Sequence, residues 1–225
     1  MVKKDNNYRI KVTENGPYIV SGGVPLIRQE IVTDEEGYSI GWREVERYPL
    51  QEEYALCRCG NSGNKPFCDA SHLKGFDGGE TASREPYLEQ AETIKGPDLD
   101  LTDAQELCSY ARFCDRAGGV WNLTLQSDEA EAKKIATEEA GNCPSGRLVV
   151  WDKKGSAIEP PFEPSIVLVK DLQEGVRGPI WVRGGITIEA ADGEVYEIRN
   201  RVTLCRCGRS VNKPFCDSSH IQMKL

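Results

Sequence analysis

The hydrophobic residues of this chain fall mostly into short runs that end at glycine. Residues 16–24 and residues 178–186 share one such pattern, an apolar core followed by a pair of glycines, which predicts a β-strand in each segment. Further strands are predicted around residues 38–42, at residues 195–198 and at residues 202–204, and the last of these leads directly into a cysteine. Both ends of the chain are therefore predicted to be small modules rich in β-strands.

The middle of the chain has a different pattern. Residues 75–100 are rich in glycine, proline and acidic side chains, which predicts a linker or a long loop. The sequence that begins at Thr102 has the form of a capping box, which predicts a helix that ends at Gly118. This region is therefore expected to be partly helical.

A second helix and a strand are predicted further along. Residues 127–129 favour the start of a helix, and Gly141 favours its end. Residues 147–151 predict a strand, with a turn at residues 154–155. The predicted fold class is α+β, with an α+β region inserted between two modules rich in β-strands.

A repeated segment of sixteen residues organises the chain. Residues 57–72 and residues 205–220 are identical at thirteen positions, and each segment ends on one of the two histidines of the protein, His72 or His220. Each copy has the form Cys-x-Cys, eight residues, Cys, three residues, His. Three thiolates and one imidazole make a set of four ligands, which suits either Zn²⁺ or an iron–sulfur cluster.

The spacing of these ligands favours a cluster over zinc. Structural zinc sites generally begin with two cysteines separated by about two to four residues, whereas a Cys-x-Cys pair can hold one iron of a cluster. The third cysteine and the histidine would then hold the other iron. The candidate ligands are Cys57, Cys59, Cys68 and His72 in the first copy, and Cys205, Cys207, Cys216 and His220 in the second.

Both segments resemble the CDGSH iron–sulfur family, also called the mitoNEET-like family. The family pattern is Cys-x-Cys-x2-Ser/Thr-x3-Pro-x-Cys-Asp-Gly-Ser/Ala/Thr-His. Beyond the cysteines, the matching residues are Ser62, Pro66, Asp69, Ser71 and His72 in the first copy, and Ser210, Pro214, Asp217, Ser219 and His220 in the second. The glycine of the family pattern is replaced by Ala70 and Ser218, a position where a positive φ would strain either residue.

The resemblance implies a [2Fe–2S] cluster in each copy. Family members often pair two chains, whereas this chain carries both motifs, so we expect the two modules to pair within one chain with pseudo-twofold symmetry. A monomer is expected rather than an obligate dimer. A histidine ligand is also expected to raise the reduction potential and to make the cluster labile in mild acid, because imidazole can gain a proton.

Other residues of the repeat have candidate roles around the ligands. Asp69 and Asp217 are expected to cap a short helix whose N–H groups face an anionic cluster. Four basic residues recur beside the ligands, where they could offset the cluster charge, meet an acidic partner or be solvated surface charges. These residues are Arg58, Lys65, Arg206 and Lys213.

Three more cysteines, Cys108, Cys114 and Cys143, lie in the middle region. They resemble a divergent single-cluster ferredoxin domain in which Ala111 stands where a second cysteine would be, and in which the last cysteine precedes a proline. The missing ligand predicts a [3Fe–4S] cluster, and the alternative is [4Fe–4S] with a non-cysteine ligand such as Asp115 or water. The cysteines could instead be buried small hydrophobic residues, since two of them would not share one face of a regular helix.

Composition narrows the classes of function. The chain has 225 residues, a formal net charge of −8 and a pI near 5.0, which disfavours nucleic-acid binding because that binding depends on basic residues. Nine clustered cysteines favour metal binding over disulfides in a reducing compartment. No apolar run is long enough to span a bilayer and no signal peptide is recognised, so a cytoplasmic protein without membrane partners is expected.

These patterns divide the chain into three parts. A first CDGSH module is predicted at residues 1–78, a linker with a divergent ferredoxin-like domain at residues 79–160, and a second CDGSH module at residues 161–225. No nucleophile–base set, phosphate loop or dinucleotide fingerprint is found in the sequence, so we expect an electron carrier rather than an enzyme. Its partner would be a redox protein or a cluster acceptor. The alternatives are a cluster donor or redox or pH sensor, and a zinc-binding structural protein.

Overall fold

The computed structural model describes residues 7–224, which form a mixed α/β fold made mostly of sheet with few helices. The strands are β1 (Arg9–Val12), β2 (Tyr18–Ser21), β3 (Leu26–Thr33), β4 (Ser39–Arg47), β5 (Glu53–Leu56), β6 (Glu92–Lys95), β7 (Leu99–Asp103), β8 (Leu148–Asp152), β9 (Ala157–Ile158), β10 (Ser165–Asp171), β11 (Val176–Arg183), β12 (Thr187–Glu189) and β13 (Arg201–Leu204). The α-helices are α1 (Tyr87–Gln90), α2 (Val120–Leu125), α3 (Ala130–Asn142) and α4 (Ser219–Gln222), and 3-10 turns lie at Ser71–Lys74, Gln105–Leu107 and Arg116–Gly118. None of the helices described is both long enough and apolar enough to cross a membrane.

Two of the three sheets combine strands from both ends of the chain. The first has the order β12-β1-β2-β5 and the second has the order β13-β11-β10-β3-β4. The two ends meet through parallel pairs, β1 with β12 and β3 with β10, whereas the other neighbouring strands in these sheets are antiparallel. Because β5 and β13 lead directly into the two cysteine-rich segments, this shared β-structure carries both of them.

A single hydrophobic core joins the two ends. Val20 and Leu56 from the first end and Ile180 and Leu204 from the second are each at most 1% exposed, and they belong to one buried cluster. Burying a side chain of this size stabilises the fold by about 1.5–3 kcal/mol. The strands that precede the two cysteine-rich segments are thereby anchored in the same core.

The third sheet belongs to the middle of the chain. Its strand order is β6-β7-β8-β9, all antiparallel, and α2 and α3 cover one face with a separate buried core. The domain bounds at residues 78 and 160 stay a prediction. All four strands of this sheet lie between those bounds, and all strands of the shared sheets lie outside them.

Several elements predicted from the sequence are confirmed. Strands β2 and β11 occupy the two apolar runs that end at glycine pairs, and β13 covers the run before Cys205. Helix α3 begins one residue after the predicted start at residues 127–129 and ends at Asn142. Strand β8 and the turn at residues 153–155 also form as expected. The strand predicted at residues 38–42 is the start of the longer β4, which pairs with β3.

Two predicted elements are wrong, and a third prediction, the linker or long loop at residues 75–100, holds only in part. The helix from Thr102 to Gly118 is instead the end of β7, a 3-10 turn, an irregular loop and a second 3-10 turn. Burial of Leu99 and Leu101, two residues apart, favours a strand that begins before this segment and continues to Asp103. Positive φ values at Tyr110 and Arg112 exclude a regular helix later. The strand predicted at residues 195–198 is reduced to one isolated bridge, since only the second of its four residues is buried. The linker predicted at residues 75–100 contains α1 and β6.

Candidate metal centres

Each sixteen-residue repeat forms the same closed loop after a strand. The Cys57 N–H group donates to Pro66 O at 2.8 Å, and the Cys68 N–H group donates to Ala55 O at 2.9 Å. The second copy repeats these bonds at 2.8 Å each, from Cys205 to Pro214 and from Cys216 to Thr203. This ladder folds the third cysteine back beside the strand that delivers the first two.

The serine and aspartate of the motif brace the loop from inside. Ser62 Oγ donates to Phe67 O at 2.6 Å and accepts the Asn64 N–H group at 3.0 Å. Asp69 accepts the N–H groups of Gly63 at 2.7 Å and Ser71 at 3.0 Å. The second copy has the same contacts at Ser210 and Asp217.

The expected capping role of the aspartate is therefore present, in a modified form. The Ser71 side chain and the N–H groups of Gly63 and Ser71 hold the pKa of Asp69 well below its usual value. The residue that formally caps the following turn is Ala70, with φ +67°, and its counterpart Ser218 has φ +70°. The position held by glycine in the CDGSH pattern thus has a left-handed backbone here without glycine.

The candidate ligands of each repeat come together as two pairs. Cys57 Sγ lies 3.8 Å from Cys59 Sγ, and Cys68 Sγ lies 3.3 Å from His72 Nδ1. In the second repeat both distances are 3.5 Å, between Cys205 and Cys207 and between Cys216 and His220. Within residues 7–224, no three cysteine, histidine or carboxylate side chains are gathered around a single metal position.

These separations fit the donor chemistry of an iron–sulfur centre. Two ligands at tetrahedral angles, at bond lengths of about 2.3 Å for sulfur and about 2.0–2.1 Å for nitrogen, lie about 3.8 Å apart for two sulfurs and about 3.6 Å apart for a sulfur and a nitrogen. Each pair therefore has the spacing of two ligands on one metal ion. Backbone N–H groups also point at sulfur, from Asn61 to Cys59 and from Ala70 to Cys68, both at 3.4 Å.

The two repeats contact each other through their glycines. A Cβ atom added at Gly60 would lie 2.5 Å from Cys207 O, and one added at Gly208 would lie 2.5 Å from Cys59 O. Both glycines also have positive φ, at +80° and +76°. Only glycine fits at either position, because the backbone of each repeat passes directly against that of the other.

The two repeats differ in exposure. In the second, Cys216 is 2% exposed and His220 is 3% exposed, whereas Cys68 and His72 of the first are only partly buried. Burial and the charge of Arg206 lower the pKa of His220 to about 4, which keeps its imidazole neutral and able to accept a metal. The cysteine–histidine pair of the first repeat is thus more accessible to solvent than the corresponding pair of the second repeat.

The three middle cysteines lie around one cavity. Cys108, Cys114 and Cys143 all line it, although they come from the irregular loop and from the C-cap of α3. Ala111, the residue at the position of the missing cysteine, lines the same cavity. Cys114 Sγ lies 3.5 Å from Asp115 Oδ1. The structure therefore brings together all three middle cysteines despite the wrong helix prediction.

Comparison with known protein families accounts for all three regions. The family described as iron-binding zinc finger, CDGSH type, matches residues 15–73 and 177–221, and the family described as divergent 4Fe-4S mono-cluster matches residues 94–153. Both end segments of this chain are CDGSH domains. The chain is an iron–sulfur protein with a divergent mono-cluster domain between them. No curated protein and no solved structure matches the chain.

The basic residues of the CDGSH segments are not simply solvated charges. Arg58 is 2% exposed, donates to the carbonyls of Thr13 and Gly78, and lies over the Tyr18 ring. Arg206 donates to Gly178 O at 2.6 Å and to Val169 O at 2.7 Å. Lys65 and Lys213 fold back onto the carbonyls of Ser62 and Ser210. All four therefore support the loops that carry the candidate ligands.

Arg201 joins the mono-cluster domain to the second CDGSH domain. It is 1% exposed, and Nη1 donates to Ala140 O at 2.5 Å, Gly141 O at 3.0 Å and Cys143 O at 2.9 Å. Nη2 donates to Leu148 O at 3.3 Å. A guanidinium at the C-terminus of α3 satisfies its free carbonyls and complements the helix dipole.

Sequence reasoning missed this residue. Arg201 precedes Cys205 by four positions, and the first repeat has the exposed Glu53 at the matching position. The signal in the sequence was the change from a negative to a positive side chain between two otherwise similar strands.

Tyr18 was also missed, because no motif marks its position. Its hydroxyl lies 2.8 Å from Cys205 O, and the second repeat has Ile180 in its place.

Proposed function

We propose that this iron–sulfur protein transfers electrons through three centres. Two are [2Fe–2S] clusters, each held by three cysteines and one histidine, and the third is a [3Fe–4S] cluster. The proposed ligands are Cys57, Cys59, Cys68 and His72 for the first, Cys205, Cys207, Cys216 and His220 for the second, and Cys108, Cys114 and Cys143 for the third.

The pairing of donor atoms carries the proposal for the end domains. Each CDGSH segment presents two pairs at 3.3–3.8 Å, as a dinuclear cluster with two protein ligands on each iron requires. This observation favours a cluster over mononuclear zinc, which would draw all four donors to one point. The reciprocal contacts at Gly60 and Gly208 support pseudo-twofold pairing of the two domains within one chain.

The ligand count carries the proposal for the middle domain. Three thiolates can hold three irons, whereas each iron of a four-iron cluster takes its own protein ligand. Asp115 Oδ1 lies 3.5 Å from Cys114 Sγ, which is the spacing of two ligands on one iron rather than of ligands on separate irons. We therefore favour [3Fe–4S], with [4Fe–4S] completed by water or another oxygen as the alternative.

The arrangement of the centres supports electron transfer. Iron–sulfur clusters supply one-electron chemistry when bound. Asn212 of the second repeat donates to Glu106 O at 3.1 Å, two residues before Cys108 in the chain. Arg201 bridges Cys143 to the strand that leads into the second repeat. These contacts support a proposal in which the three centres belong to one electron carrier, which we propose acts as a monomer with a redox protein as partner.

Delivery of a cluster to an acceptor protein is the second candidate function. The partial exposure of Cys68 and His72 favours it, because an acceptor thiol must reach the iron that these residues would hold. Reversible reduction without loss of cluster would support the carrier. Movement of iron and sulfide to an apo-ferredoxin would support the donor.

Electron paramagnetic resonance of anaerobically purified protein tests the cofactor set. An oxidised [3Fe–4S] cluster has half-integer spin and is visible as isolated, whereas oxidised [2Fe–2S] and [4Fe–4S] clusters are silent. A signal as isolated, new signals after dithionite and about seven irons per chain are expected. Silence as isolated would remove [3Fe–4S], and colourless protein that contains zinc would overturn the proposal.

A further inference from the structure

A basic cavity lies between the two CDGSH segments. It has a volume of about 210 Å³ and is lined by residues of both repeats, including Cys57 of the first and Cys207 of the second. Four cationic side chains also line it and no carboxylate does. These cations are Lys65, Arg177, Arg206 and Lys224.

None of the four cations has an acidic partner in the part of the chain that the structure describes. Among residues 7–224, no ion pair joins any of them to a carboxylate. Arg206 uses Nε and Nη2 on backbone carbonyls, and within the same residues its Nη1 atom makes no hydrogen bond. The cavity therefore presents free donors and positive charge that no carboxylate of residues 7–224 offsets.

The matching face of the other repeat is closed. There, Arg58 donates to Thr13 O and Gly78 O, and the Phe76 ring lies 5.6 Å from its guanidinium carbon. Asn15 accepts the Gly78 N–H group at 2.9 Å and completes the cover.

Sequence differences outside the motif distinguish the two faces. Where the closed face has Asn15 and Phe76, the open face has Arg177 and Lys224. An aromatic ring and a neutral amide are thus replaced by two further cations. If these cations only offset the charge of two similar clusters, a similar number would be expected on both faces. They are instead concentrated on one face.

We propose that this cavity binds a small anion of the phosphate class. Arginine and lysine together suit phosphate, because the guanidinium donates along two directions and the ammonium adds a compact charge. Pockets for drug-sized ligands begin at about 300 Å³, so a cavity of about 210 Å³ suits a phosphate or diphosphate group better than a whole cofactor. The site goes beyond electron transfer and does not depend on it.

Calorimetric titration of the cluster-loaded protein with inorganic phosphate and with diphosphate tests the site. The buffer is free of phosphate and its ionic strength is held constant with chloride. One binding site per chain is expected, with a Kd below about 1 mM. Arg177→Gln is expected to weaken binding about tenfold, because it removes one charge-assisted contact.

Lys65 and Lys213 give a matched pair of variants. They hold equivalent positions and each folds onto the serine carbonyl of its own loop, but only Lys65 lines the cavity. Lys65→Gln is expected to weaken phosphate binding, and Lys213→Gln is expected to leave it unchanged. Iron content and visible absorption of both variants confirm that the loops remain loaded.

Three outcomes would overturn the proposal. The first is no saturable heat with phosphate or diphosphate up to tens of millimolar. The second is equal loss of binding in Lys65→Gln and Lys213→Gln, which would place the effect in loop stability. The third is the same binding when chloride replaces phosphate at equal ionic strength, which would leave only general screening of charge.

Discussion

Replacing Arg201 with methionine tests how the mono-cluster domain is held against the second CDGSH domain. Methionine keeps an unbranched apolar stem but removes the donors that bond to Ala140, Gly141, Cys143 and Leu148. All these acceptors belong to the middle domain, whereas Arg201 begins β13 of the shared sheet. Arg201→Met should therefore loosen the junction between the two domains.

The loss of stability can be estimated from the contacts. A hydrogen bond from a charged donor contributes about 1.5–3 kcal/mol, and removing one member of a buried ion pair costs about 3–5 kcal/mol. Arg201 Nε also lies 2.8 Å from Glu159 Oε2, an ion pair whose angle does not make a hydrogen bond. Since these terms overlap, we expect a loss of about 3–5 kcal/mol. At about 2–4 °C per kcal/mol for a chain of this length, Tm should fall by about 10 °C.

Calorimetry of the cluster-loaded protein measures this loss, and hydrogen exchange locates it. Protection should fall most in the last turn of α3 and around Cys143, because Arg201 caps that helix. Glu53→Gln is the matched control, since this exposed residue holds the equivalent position in the first repeat and should change stability by less than about 0.5 kcal/mol. A loss below about 1 kcal/mol in Arg201→Met, or exchange that increases evenly over the chain, would refute the reasoning.

Four further predictions follow from the sites. Ala70→Gly should stabilise the first loop by about 0.5 kcal/mol in thermal unfolding. The left-handed backbone costs alanine about 1–2 kcal/mol, and relief of this strain exceeds the loss of stability that comes from the greater freedom of glycine in the unfolded chain. A lower Tm would contradict this prediction. Ala111→Cys should supply a fourth thiolate and abolish the resonance signal as isolated, so its persistence would argue against the proposed ligand loop. Burial raises the pKa of Glu139 to about 8, and a carboxyl with a raised folded pKa costs stability as pH rises from about 4.5 through 8. Glu139→Gln should thus stabilise the protein by about 2–4 kcal/mol at pH 9 and little at pH 4.5, and equal effects at both pH values would exclude this cause. His72→Cys should slow the loss of visible absorption in mild acid, since the protonatable ligand is gone. His220→Cys should slow it less, because the pKa of His220 is already lowered to about 4, and unchanged rates in both variants would show that acid acts elsewhere.

The sequence predicted the ligand segments better than the elements around them. The repeat at residues 57–72 and 205–220 contains its own hydrogen-bonding partners, such as Ser62 and Asp69, so local sequence is enough to determine the loop. The segment from Thr102 to Gly118 failed because long-range pairing of β7 with β8 overrode a capping signal that spans only four residues. Pairing of the two ends was expected from the repeat together with the resemblance to a family whose chains often pair.

The junctions between domains could not be predicted in the same way. Arg201 and Tyr18 act on residues far away in the chain, and neither position is marked by a motif. The cavity between the CDGSH segments likewise depends on Arg177 and Lys224, which lie outside the repeated segment. These features arise from tertiary packing, and only differences between the two repeats pointed to them.

Because this chain contains two nearly identical motifs, the properties that come from the motif can be distinguished from those that come from the surrounding residues. The ligand pairs have similar spacing in both repeats, so the motif accounts for the donor geometry. Access to those ligands differs, because the second repeat lies against the middle domain and His220 is buried, whereas His72 is partly exposed. Exchange with a partner protein should therefore concentrate at the first repeat, and the second should connect the first to the middle domain. The same ligand pattern thus has different solvent access at its two positions, because residues outside it determine which side of the site meets solvent.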